Sequence, residues 1–183
     1  LTPTSTLLNN QGHHEDYVKV AHNGTKYLAV WEDYRSGNNA DIYGARISDA
    51  GTVLDPTGIA ISSVAGSQQT FPQVAAKGSD WLVVWSDARL GGGTYNVYAT
   101  RVSDAGVVLD PAGFRVNSTL NSAQVPSVSA DTTNWFVVWQ NGSQATGARV
   151  SPSGTVLDAN DIIIFNGLSF EPKAAFNGTN YLV

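Results

Sequence analysis

Apolar residues gather in short runs separated by Gly, Asn and Asp, and the runs return at a fixed interval. Tyr27-Leu28-Ala29-Val30-Trp31 recurs as Trp81-Leu82-Val83-Val84-Trp85 and as Trp135-Phe136-Val137-Val138-Trp139, each 54 residues after the last. Tyr181-Leu182-Val183 opens a fourth copy. In an extended chain successive side chains point to opposite faces. Trp81, Val83 and Trp85 therefore face one way, and Leu82 and Val84 the other. Both faces are apolar, which predicts a strand covered on both sides, as in stacked sheets. No 3.6-residue period appears, so no helix is expected.

Each unit reads as four strands. Strand A (residues 17–21, 71–75 and 125–129) precedes the Trp-bearing strand B. Asn23-Gly24, and Asn177-Gly178 in the fourth unit, suit the tight turn of a two-residue hairpin. Strand C covers residues 42–47, 97–102 and 147–150, turns at 49–51, 104–106 and 152–154, and is followed by strand D through 53–55 and its equivalents. An Arg on C and an Asp on D keep a spacing of nine in every unit: Arg46 and Asp55, Arg101 and Asp110, Arg149 and Asp158. The turn lies midway between each pair, so they are expected to meet across the hairpin as structural ion pairs. Trp31, Trp85 and Trp139 are expected to be structural as well, in blade-to-blade packing rather than stacked on a ligand.

Repeats of this length, unable to bury both faces alone, predict an all-β propeller. About three and a half four-stranded blades are expected in this chain, within a single segment. Residues 1–10 align with the end of a preceding blade; 11–66, 67–120 and 121–166 form three blades, and 167–183 the first half of a fourth. That number does not close a ring, so further blades are expected from the same longer chain or from another copy.

The string Trp31-Glu32-Asp33-Tyr34-Arg35 with Asp41-Ile42-Tyr43-Gly44-Ala45-Arg46, echoed by Trp85-Ser86-Asp87-Ala88-Arg89 with Asn96-Val97-Tyr98, resembles a repeat of large secreted bacterial β-propeller-like proteins. The resemblance covers nearly the whole chain and implies a propeller at the bacterial cell surface or outside the cell; it implies no reaction. The third unit departs from the pattern, with Gln140-Asn141-Gly142 in place of Asp-x-Arg.

Composition narrows the function. A formal net charge of −5 leaves no basic stripe for nucleic acid. Cys is absent, which removes disulfides and thiolate chemistry, and no apolar run is long enough to span a bilayer. Of the candidate sites, His13-His14-Glu15-Asp16 carries metal-type ligands, but neighbours on a strand diverge and the later units lack them, so a solvated loop is favoured. Asp33, Asp41 and Asn39 place several oxygens in a short span, which makes calcium a possible cofactor; Asp33 pairing with Arg35 is the competing expectation. Tyr34 and Tyr95, with Asp33, Arg35, Asp87 and Arg89, sit in the B–C loops where a ligand would be met. The repeated acids are better explained by blade construction than by catalysis, and no catalytic residue is assigned.

Three functions are consistent with these features. The first is a binding or scaffold segment whose loops recognise a protein or polysaccharide. The second is a non-catalytic part of a propeller glycosidase or polysaccharide lyase. The third is a structural subunit that assembles through open blade edges.

Overall fold

The computed structural model describes residues 12, 14–119, 122–167 and 170–183. Strand-forming Val, Ile, Trp and Tyr, interrupted by Gly and Asn turns, give three four-stranded antiparallel sheets and a two-stranded fourth. The first contains β1 (Glu15–His22), β2 (Lys26–Asp33), β3 (Asp41–Ser48) and β4 (Ile59–Ser62) in sequence order. The second contains β5 (Gln69–Lys77), β6 (Asp80–Asp87), β7 (Asn96–Val102) and β8 (Phe114–Arg115). The third contains β9 (Ala123–Ala130), β10 (Trp135–Asn141), β11 (Gln144–Val150) and β12 (Ile162–Asn166). A last pair, β13 (Ala175–Phe176) and β14 (Tyr181–Leu182), begins a fourth blade. The predicted end of a preceding blade, residues 1–10, lies outside the described residues.

The core forms between sheets, with the two faces of each central strand serving different neighbours. Leu28, Val30, Ile42 and Ile61 of the first sheet pack on Trp81, Val83 and Trp85 of the second. Leu82, Val84 and Val97 on its other face pack on Trp135, Val137 and Trp139 of the third. All five indoles are at most 2% exposed. Two of them also bind the preceding sheet: Trp81 Nε1 donates to the Ala21 carbonyl and Trp135 Nε1 to that of Ala75, both at 3.1 Å.

Strand D begins later than the sequence suggests. After the C–D turn, Val53 forms a single bridge to Ile47, and the ladder resumes only at Ile59, which pairs with Gly44. The Asp55 carboxylate accounts for the detour. It accepts the Arg46 backbone N–H at 2.9 Å, taking the place of a ladder partner. Pro56 then offers no N–H, and the chain turns at Gly58. Arg46 grips Asp55 with two further bonds of 2.8 Å. Arg101 and Asp110 repeat this fork, as do Arg149 and Asp158, at a more exposed site.

The first two forks also join neighbouring blades. Arg46 Nη1 donates to the Asp104 carbonyl at 3.0 Å, and Arg101 Nη1 to that of Pro152 at 3.0 Å. The guanidinium of Arg46 lies over Gly106, where φ is +80° and an added Cβ would come within 2.6 Å of Nε. Gly106→Ala is therefore expected to lower stability by about 1–3 kcal/mol through backbone strain and displacement of Arg46. Gly142→Ala shares the positive φ but meets nothing within 4 Å, so it isolates the backbone part. Urea melts in which Gly106→Ala loses no more than Gly142→Ala would show that the Arg–Gly contact is not a blade-to-blade latch.

Candidate functional site

The repeated Trp-x-Asp-x-Arg is a buried knot at the start of the B–C loop. Period two puts the indole and the carboxylate on one face of β2, and Trp31 Nε1 donates to Asp33 Oδ2 at 3.0 Å. Arg35 gives Asp33 its backbone N–H (2.9 Å), Nε (2.8 Å) and Nη2 (2.6 Å). It also reaches the Thr57 carbonyl and lies 3.9 Å over the Tyr43 ring. Burial alone would raise the Asp33 pKa, but the Arg35 and Trp31 donors together hold it below the ordinary carboxylate range. Asp87 repeats the knot with Trp85, Arg89 and Ser67, and Arg89 lies over Tyr98. Asp33, Arg35, Asp87 and Arg89 thus have protein partners at the positions predicted for a ligand. In the third sheet Gly142 and Ser143 close a two-residue hairpin, and Trp139 Nε1 finds no partner among the described residues.

The residues predicted for calcium divide between two places. Asp33 belongs to the knot, whereas Asp41 and Asn39 line a polar pocket of about 270 Å³ with Ser36, Asn38, Ser63 and Ser67. Asp41 accepts from Ser36 Oγ at 2.5 Å. Among the described residues no three His, Asp or Glu side chains converge as a metal set; His13 lies outside them. Tyr95 is half-buried in the second B–C loop. Tyr34 is half-buried too, with its hydroxyl donating to Glu32 Oε2 at 3.3 Å and the His14 ring 5.2 Å away.

A third feature, at the axis, has no obvious trace in the sequence. Each innermost strand carries one non-glycine residue in the left-handed region: Tyr17 (φ +54°), Phe71 (+55°), Val125 (+50°) and, ahead of β13, Glu171 (+51°). The first three sit where β1, β5 and β9 break register against their partners. Such conformations cost about 1–3 kcal/mol each and persist only where the surroundings impose them. At two of them a side chain from the neighbouring blade helps: Glu32 Oε1 accepts the Phe71 N–H at 2.7 Å, and Ser86 Oγ accepts that of Val125 at 3.0 Å. Burial raises the Glu32 pKa, opposed in part by the Phe71 and Tyr34 donors.

The four left-handed residues share one cleft. With Lys19, Gln73 and Lys173 they line a space of about 290 Å³. Tyr17 and Phe71 meet edge to face, ring centroids 5.0 Å apart. Bulges re-aim side chains and are common beside binding sites. The signal available in the sequence was the polar position after each Trp (Glu32, Ser86, Gln140), set in strands otherwise apolar on both faces.

No family model and no curated protein matches this sequence. Solved structures do match. The Penicillium chrysogenum α-L-arabinanase complexed with arabinobiose aligns at TM-score 0.64 and 14% identity, over 94% of this chain and 52% of its own. The Fusarium graminearum GH93 α-L-arabinofuranosidase, also with arabinobiose, aligns at 0.61 and 13%, over 86% and 48%. The Lactobacillus brevis α-L-arabinofuranosidase aligns at 0.58 and 10%, over 90% and 62%. The chain thus spans about half the length of the first two. At such identity the likeness establishes architecture alone: this is an all-β chain of stacked four-stranded propeller blades.

Proposed function

We propose that this chain is the sugar-holding part of a propeller of the glycosidase kind, with the axial cleft as its saccharide site. The observation that carries the proposal is the convergence of four strained backbone positions on one cleft, two of them aromatic. Flat rings present apolar faces to the C–H side of a sugar, while Gln73, Lys19 and Lys173 supply hydrogen bonds to its hydroxyls. The propeller fold shared with an α-L-arabinanase and α-L-arabinofuranosidases supports a carbohydrate over a protein ligand. Hydrolysis by either usual route needs two facing carboxylates. Among the described residues Glu171 is the one acid lining the cleft, so the role assigned is holding the sugar.

Titration calorimetry with arabino-oligosaccharides and a wider glycan panel tests this. Tyr17→Ala and Phe71→Ala are each expected to weaken binding about tenfold, the loss of one aromatic anchor. Leu90→Ala, in the exposed second B–C loop, should leave it unchanged. Absence of binding across the panel, or binding indifferent to both aromatic changes, would remove the axial site.

A further inference from the structure

Resting on that saccharide-binding role, we infer that the cleft takes a sugar bearing a carboxylate, such as a uronic acid unit, in preference to a neutral one. Two residues beyond each left-handed position lies a second tier: Lys19, Gln73, Ser127 and Lys173. Three of these line the cleft. The chain has only four lysines, and the other two are bound elsewhere. Lys26 holds Asp104 at 2.5 Å, and Lys77 donates to the Asp131 carbonyl at 3.0 Å. Lys19 and Lys173 form no ion pair or hydrogen bond with any described residue. In a chain of net charge −5, the two lysines without a partner among the described residues thus line one opening.

Such an ammonium is a compact charge with three donors and gives up no described partner on binding. Two of them beside a shared cleft favour an anionic group over a hydroxyl, because only the anion adds opposite-charge attraction to the hydrogen bond. Glu171, lining the same cleft, has acceptor oxygens suited to the hydroxyls of the ring that carries the carboxylate. The Tyr17 and Phe71 rings supply the apolar side. The cleft therefore pairs each part of a uronic acid residue with a suitable group.

The experiment compares trigalacturonic acid, its methyl ester and arabinotriose by calorimetry on the whole chain. Salt is set at about 0.02 M and about 0.3 M, where screening differs several-fold. The acid is expected to bind about tenfold more tightly than the ester at low salt, with the advantage shrinking at high salt. The double variant Lys19→Met/Lys173→Met, verified as folded by its melting curve, should bring the acid to the affinity of the ester, while ester and arabinotriose lose equally, and by less than the acid, the hydroxyl bonds those lysines supplied. Equal binding of acid and ester, or an acid preference that survives the double change, overturns the inference while leaving a saccharide site in place. Failure of all three sugars to bind removes the site itself.

Discussion

Replacing Asp87 with Ala is expected to cost about 3–5 kcal/mol of folding free energy, the usual result of removing one member of a buried ion pair. The carboxylate has no exposed surface, and it accepts from Trp85 Nε1 (2.7 Å), the Arg89 backbone (2.8 Å), Arg89 Nη2 (2.6 Å) and Ser67 (3.2 Å). Without it a largely buried guanidinium loses its counter-charge and the indole N–H its acceptor. Asp87→Asn retains an acceptor and should lose less. The third sheet provides an internal control: Asn141 occupies the equivalent position without an Arg, so Asn141→Ala should change stability by only about 0.5 kcal/mol. Urea denaturation of the three variants measures this; similar midpoints for Asp87→Ala and Asn141→Ala would show that the knot adds nothing to stability.

Trp81→Ala should cost a comparable amount, about 3–5 kcal/mol, because it opens a cavity where a fully buried indole stood. The side chain belongs to the second sheet but rests on Leu28, Val30 and Ile61 of the first, so the damage falls on the joint between blades. Trp81→Phe keeps the ring and drops the N–H that binds the Ala21 carbonyl at 3.1 Å. It should lose about 1–2 kcal/mol beyond any repacking. Exposed Leu90 is the reference: Leu90→Ala should be nearly neutral. Midpoints of Trp81→Ala and Leu90→Ala that coincide would mean the blades do not depend on this contact.

Much of the frame is legible in the residues because its rules are local. Period two and apolar faces gave the burial of Trp31, Trp85 and Trp139, and a constant spacing brought Arg46 to Asp55. The start of strand D was not legible. A carboxylate standing in for a backbone acceptor looks, in sequence, like an ordinary residue of an extended run. The Asp-x-Arg pairs suggested ligand contacts, yet Trp31, two residues ahead of Asp33, already placed an indole donor on the same face. The axial ring was hidden most completely. Tyr, Phe, Val and Glu in the left-handed region share no composition; at Phe71 and Val125 it is the adjacent blade, through Glu32 and Ser86, that marks the position.

That ring separates shape from chemistry. Four unlike side chains hang from one backbone conformation, held at Phe71 and Val125 by bonds that never touch the side chains themselves. The cleft can exchange an aromatic for an acid, or an aliphatic for either, while the blades stay as they are. Preference for one sugar over another could thus shift by single substitutions along the axis, leaving the cost of building the scaffold unchanged.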